Sequence, residues 1–288
     1  MRHEDVAAEP DAGRRRLAVL RGLALACHPA PCVAVTAIAT TLAARVGRGA
    51  ETVLVAAAVL SGQLAVGWSN DVIDRHRDLA ARRLGKPIVA GLVDADTVRR
   101  SAIVALAACV PLSLATGLGA GSVHLAAVAC ALAYNLVLKQ TIWSALPYAA
   151  AFAVLPAFAT LGLPEPRWPA WWATLTGALL GAGAHFVNAL DDLDLDRRTG
   201  VLGLPQRVGA GRSLVVGVGL HAGAIGLLVG GPAGRPSPIT WLAAALALGT
   251  VAAVVLLARR GRREDAWRMS LVTAAVAVLL LVASGRSL

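Results

Sequence analysis

Two short windows hold seven of the chain's 17 carboxylates. The first is Asn70-Asp71-Val72-Ile73-Asp74-Arg75-His76-Arg77-Asp78, and the second is Asn188-Ala189-Leu190-Asp191-Asp192-Leu193-Asp194-Leu195-Asp196. Each opens on Asn and continues in four-residue steps: Asn70, Asp74, Asp78 and Asn188, Asp192, Asp196. Residues four apart on a helix share a face, so each window projects a row of oxygen donors in one direction. Asp71, three residues before Asp74, joins the first row. In the second window Asp191 lies at the edge and Asp194 points away, and each offers an alternative register. Stacked like charges repel, and carboxylates at a helix C-terminus oppose its dipole. A hard divalent cation relieves both, and Mg²⁺ typically takes one or two carboxylates together with phosphate oxygens and water. The paired rows therefore read as a cradle for Mg²⁺ and a polyphosphate. One row alone could equally be a solvated acidic helix end; two Asn-led rows at matched positions fit that reading poorly.

A basic loop follows each window: Arg82-Arg83-Leu84-Gly85-Lys86-Pro87 after the first, and Arg197-Arg198-Thr199-Gly200, running on to Leu204-Pro205-Gln206-Arg207, after the second. Cations beside such a cradle can neutralise a departing diphosphate, although most of these arginines read as ordinary loop charges. Lys86 and Lys139 are the only lysines among 25 arginines, and both read as lying at cytoplasmic helix ends. They are the stronger candidates. His185, one turn before Asn188 and on its face, reads as a packing or cavity-lining residue, and His76 as solvated. Cys27, Cys32, Cys109 and Cys130 lie in apolar stretches without a C-x-x-C pair, which fits buried small hydrophobes.

The elements that must position these residues follow from composition. Of 288 residues, 57% are apolar and 15% charged, with a mean hydropathy of +0.67; soluble domains carry about 25% charged residues. That balance excludes a water-soluble fold, a disordered chain, a collagen-like fibre and a disulfide scaffold. It implies an all-α, polytopic membrane protein. Runs long enough to cross ~30 Å of hydrocarbon fall at 23–44, 52–69, 101–117, 122–138, 143–163, 168–190, 213–230, 239–257 and 269–285. Helix is the state that satisfies their backbone in lipid, with Pro29, Pro111, Pro147 and Pro156 tolerated as kinks. Trp168, Trp171 and Trp172 read as an interfacial belt.

With the N-terminus inside, 22 of the 27 basic residues face the cytoplasm and five, Arg45, Arg48, Arg167, Arg235 and Arg286, face the other side. This asymmetry orients the bundle and accounts for the net charge of +10 without nucleic acid. Residues 1–22 read as a cytoplasmic tail without signal-peptide features, and 23–285 as one membrane domain. The acidic rows end the second and sixth spans, on the cytoplasmic side. Spans one to four and five to eight then read as related four-helix halves, with the ninth left over. The expected location is a bacterial plasma membrane.

Asn70-Asp71-x-x-Asp74-x-x-x-Asp78 resembles the first Asp-rich motif of the UbiA superfamily of intramembrane prenyltransferases, the relatives of 4-hydroxybenzoate and 1,4-dihydroxy-2-naphthoate prenyltransferases. Asn188-x-x-x-Asp192-x-x-x-Asp196 resembles its second. Tyr134-x-x-x-x-Lys139 resembles the family's Tyr…Lys element, and Lys86-Pro87-Ile88 with Gly91 its basic-Pro segment. The resemblance covers about residues 20–285. It implies a nine-helix bundle around a central cavity open to the cytoplasm, in which Mg²⁺ binds an isoprenoid diphosphate whose tail lies in an apolar tunnel. Ionisation would give an allylic cation, captured by an electron-rich, typically aromatic, acceptor. Carried over by position, Asn70, Asp74, Asp78, Asn188, Asp192 and Asp196 would form the metal site. Asp71 would be a further ligand or a proton acceptor near the reacting carbon. Lys86, Tyr134, Lys139 and Arg198 would bind the diphosphate.

The chain departs from the family near the first span, where Cys27-His28-Pro29 stands in place of an Arg-Pro element; this leaves the role of His28 open. Three other readings compete. A divalent-cation transporter would need ionisable groups at membrane depth, and no carboxylate lies near a span midpoint. An alcohol phosphotransferase would carry its Asp pairs in a single window, a pattern absent here. A UbiA-type terpene cyclase, acting on a prenyl diphosphate without an acceptor, fits the same residues.

Overall fold

A computed structural model describes residues 12–283, and its described residues form helices and turns without strands. In chain order the helices are α1 (Ala12–Ala26), α2 (Pro29–Arg45), α3 (Glu51–Ala80), α4 (Ala95–Ala115), α5 (Leu118–Leu136) and α6 (Ala145–Ala153). They continue with α7 (Leu155–Thr160), α8 (Trp171–Arg198), α9 (Leu204–Val208), α10 (Ala210–Gly230), α11 (Pro238–Arg259) and α12 (Arg263–Ala283). Six of them, α3, α4, α5, α8, α10 and α11, are long and apolar enough to cross a membrane, and a seventh span results if α1 and α2 count as one bent pair. Each of the nine apolar runs falls on a helix or a broken helix. Residues 1–11 of the expected tail and the end of the ninth run lie outside the described residues.

Two runs that hydropathy shows as continuous are broken. Pro29 lacks an N–H and disfavours helical geometry in the residue before it; His28 adopts a left-handed conformation, φ 57° and ψ 71°. The axis turns by 63° there. The expected tail is thus helical from Ala12, and α1 is a separate element. Similarly, α6 ends at Ala153 and α7 starts at Leu155, with Pro156 in its first turn. By contrast Pro111 lies inside α4 without ending it. The tryptophan belt is also smaller than expected. Trp168 and Trp171 are exposed, but Trp172 is buried, because one residue turns a helix by about 100° and aims its ring at the core.

Side chains of α2, α3, α7, α8, α10, α11 and α12 share the main apolar core, which includes Leu42, Val55, Phe158, Leu180, Ile225 and Leu280. Glycine sets the closest approaches. A Cβ on Gly177 would collide with the carbonyl of Phe152, and one on Gly181 with that of Tyr148, so α6 lies directly against α8. The two Asp-bearing helices are the longest, at 30 and 28 residues. Their carboxylates sit in their last turns, where α3 and α8 extend beyond the expected runs by 11 and eight residues respectively.

Candidate functional site

The ends of α3 and α8 face each other, with cations of the chain between the two acidic rows. Arg83, in the loop after α3, donates to Asp192 at 2.6 Å and to Asp78 at 3.4 Å. Arg77 donates to Asp74 at 3.1 Å and lies 3.6 Å from Asp196. Lys139, in the turn Leu138–Gln140 after α5, donates to the other oxygen of Asp74. Asn70 bridges Asp74 and Asn135, at 3.2 Å to each, and Asn135 is held by the Val66 carbonyl and the Ser69 hydroxyl. Asp196 also accepts from Gln206 on α9 at 2.8 Å. Arg197 in turn donates to the Gln206 carbonyl at 2.6 Å.

The rows differ in environment. Asp71, Asp74 and Asp78 are buried, whereas the Asp192 side chain is 39% exposed. Burial pulls the Lys139 ammonium below the usual lysine range, with Asp74 opposing it. Burial also pulls Arg83 down, but Asp192 and Asp78 outweigh it and raise the guanidinium above its ordinary range. The guanidinium therefore stays charged.

Asp71 belongs to a separate group on the α2 side of α3. Its Oδ1 accepts from Lys86 at 2.7 Å and lies 3.3 Å from His28 Nε2, while His28 and Lys86 are 3.2 Å apart. Its Oδ2 is buried with no hydrogen-bond partner. The left-handed turn at His28 delivers the imidazole to this carboxylate, and the loop 81–93 brings Lys86 back over the end of α3. Both lysines of the chain thus end on carboxylates of the first row.

A third group lies one to two turns deeper. Tyr134 packs edge-on against Tyr148 at 5.1 Å and against His185 at 5.6 Å, and Tyr148 and His185 are 4.8 Å apart. Ser144 lies 3.0 Å from His185 Nε2 and accepts from the Leu204 amide, tying α6 to α9. Asn188 lies beside Tyr148.

The structure thus brings Asn70, Asp71, Asp74, Asp78, Lys86, Lys139, Asp192 and Asp196 to one end of the bundle, with Tyr134 and Asn188 just beneath. Arg198 is not among them. It is exposed, and among the described residues no hydrogen bond or ion pair joins it to the rows, since two residues beyond Asp196 a helix has turned about 200°. Asp191 and Asp194 are also exposed, Asp194 lying 3.9 Å from Arg263 of α12, which leaves Asp192 and Asp196 as the inward pair. Arg77, Arg83, Asn135, Gln206, Tyr148 and Ser144 were not singled out by sequence. A signal existed for Arg77, three residues after Asp74, and for Asn135, an amide in an apolar helix. Arg83 lies in the basic loop after the first window, but its partner, 109 residues away, has no local signal.

Among the described residues no group of three or more carboxylates, imidazoles or thiols is placed to hold a metal ion by itself. The donors are carboxylate oxygens on two facing helices, Asp74 and Asp78 on α3 and Asp192 and Asp196 on α8. Such a set suits a hard cation that completes its shell with ligand phosphate and water.

The sequence pattern of the UbiA prenyltransferase family matches residues 30–284. The chain belongs to that family. Solved UbiA structures share its fold. A UbiA homolog from Aeropyrum pernix K1, in its apo form, superposes with a TM-score of 0.71 at 18% identity, covering 88% of this chain and 97% of its own. A UbiA homolog from Archaeoglobus fulgidus bound to DMAPP and Mg²⁺ gives 0.66 at 15% identity, over 90% and 98%. A structure of digeranylgeranylglyceryl phosphate synthase gives 0.67 at 14%, over 92% and 98%. At these identities the likeness is one of fold. No curated protein sequence is significantly similar to this chain. Family and helices together make it an integral membrane protein.

Proposed function

We propose that this UbiA protein transfers an isoprenoid chain from a prenyl diphosphate to a small acceptor within the membrane, releasing diphosphate in a Mg²⁺-dependent reaction, and that the acceptor is aromatic. The observation that carries this reading is the opposition of the two four-residue carboxylate rows across cations that can turn to a diphosphate. The Archaeoglobus fulgidus homolog bound to DMAPP and Mg²⁺ supports the donor class.

Asn70, Asp74, Asp78, Asn188, Asp192 and Asp196 would hold Mg²⁺, directly or through water. When bound, the ion supplies Lewis acidity and charge neutralisation at the leaving diphosphate. The chain's own cations do the rest. Lys139, Arg77 and Arg83 each already touch a row and need only swing from carboxylate to phosphate oxygens, with Lys86 and Tyr134 at the flanks. Arg198 would reach the diphosphate only by leaving its exposed position. Asp71 keeps one oxygen on Lys86; its unpartnered Oδ2 can take the proton that an aromatic acceptor loses after attack.

The bundle would cross the membrane nine times, with residues 23–285 as one domain, the two four-helix halves related, and the N-terminus and acidic rows in the cytoplasm of a bacterium. The test is product identification: purified protein in nanodiscs, geranyl diphosphate, Mg²⁺, and a panel of aromatic acids and quinols, followed by mass spectrometry. A product heavier than one acceptor by the prenyl group is expected. A hydrocarbon or alcohol formed equally well without any acceptor would replace transfer by cyclisation.

A further inference from the structure

Helix α1 presents two different faces. Gly22 and Ala26 face inward: Ala26 is fully buried and Gly22 lies against Val93, while Trp68 of α3 donates to the Leu23 carbonyl at 2.9 Å. On the opposite side Leu17 and Leu20 are 68% and 63% exposed, and Ala24 is exposed with them. Their i, i+3, i+7 spacing makes one apolar stripe. Arg14 and Arg21 border the stripe on one side and Arg16 on the other, and Arg15 is exposed as well. Among the described residues none of the four arginines has an ion pair or hydrogen-bond partner.

The axis of α1 diverges from α2 by 63°, and the break lies at the depth of the carboxylate rows, because His28 within it touches Asp71. With α2 along the spanning direction, a bend of 63° leaves α1 nearer the membrane plane than the membrane normal. An outward leucine stripe between arginines suits the boundary between acyl chains and headgroups, where guanidinium groups extend from apolar stems to lipid phosphates. Anionic lipid strengthens such contacts by charge attraction. We propose that α1 is an interfacial helix docked on the anionic phospholipid surface at the carboxylate-bearing rim. Leu17 and Leu20 lie at the acyl-chain boundary, and Arg14, Arg16 and Arg21, which flank the stripe, engage lipid phosphates, while Arg15 lies on the opposite face of the helix. This goes beyond the prenyl-transfer reading and does not depend on it.

The full chain carrying Cys130→Ala, with Leu17→Cys, Leu20→Cys or Arg15→Cys, would be spin-labelled in nanodiscs. The discs would be phosphatidylcholine alone or mixed with phosphatidylglycerol. In the mixed lipid, labels at 17 and 20 should collide more with oxygen than with a water-soluble nickel chelate, and the label at 15 should do the reverse. Glutamine at Arg14, Arg16 and Arg21 together should move the labels at 17 and 20 toward water in the mixed lipid. Labels at 17 and 20 that favour the nickel chelate would overturn the proposal, since the helix would stand in solvent. Labels shielded from both reagents would overturn it in favour of a protein partner or second copy. Equal depth in both lipids, unchanged by the glutamines, would overturn the anionic-surface assignment.

Discussion

Asp74 and Asp192 hold equivalent places in the two motifs but sit in opposite surroundings, and their variants should part company. Asp74 is buried and shared by Asn70, Arg77 and Lys139; among the described residues Asp192, 39% exposed, pairs with Arg83 alone. Removing one partner of a buried ion pair costs about 3–5 kcal/mol because a charge is left stranded. Asp74→Asn should therefore unfold at a clearly lower temperature in detergent, and adding Lys139→Met should recover part of the loss. Asp192→Asn should melt like the parent and still lose turnover by roughly 10²-fold or more. Parental activity in a folded Asp192→Asn protein would refute the cradle. Arg83→Gln should act on the donor. An ionic hydrogen bond contributes about 1.5–3 kcal/mol, so the KM for prenyl diphosphate should rise roughly 10- to 100-fold; an unchanged KM would leave Arg83 as a tie between the rows. The rows themselves are visible in sequence because four-residue periodicity is a local signal. The pairing of Arg83 with Asp192 is not, because tertiary folding alone brings the residue-83 loop to residue 192.

Element-scale behaviour turns on the α6–α8 contact. Gly177 and Gly181 let two backbones touch, and a methyl group at either meets a backbone carbonyl, which cannot swing aside, with the Phe152 side chain also in the way at Gly181. Overpacking of this kind costs about 1–3 kcal/mol, so Gly181→Ala should lower the melting temperature. Gly226→Ala on α10, where nothing lies within 4 Å, should leave it unchanged or slightly raised. Equal shifts in the two variants would mean that helix propensity, not the contact, dominates. Hydropathy locates the helical runs but not their breaks. At His28 and Val154 the neighbouring Pro29 and Pro156 interrupt runs that stay apolar throughout, and the first of these breaks carries His28 to Asp71. Trp172 shows the same limit from another side: the ring is interfacial by type but faces inward by helix phase.

On the scale of the whole molecule, the 22-to-5 division of basic residues predicts which loops face the cytoplasm. Arg235→Cys, in the loop before α11, should react with an impermeant maleimide in intact cells. Leu84→Cys, beside Arg83 and 74% exposed, should react only after the cells are opened. Labelling of both in intact cells would contradict the nine-span topology. Family and general architecture are legible from two motifs and a hydropathy profile. Acceptor and chain length are not, because interchangeable Ala, Leu and Val side chains shape the walls that would select them.

The most direct measurement is diphosphate release by the purified protein in nanodiscs, given a prenyl diphosphate with Mg²⁺ or with EDTA, in parallel with Asp192→Asn. Release by the parent with Mg²⁺, its loss in EDTA and in the folded variant, and its return when Mg²⁺ is restored to the parent are the expected results. Release that persists in EDTA, or that Asp192→Asn supports as well as the parent, would contradict a metal–diphosphate cradle between α3 and α8.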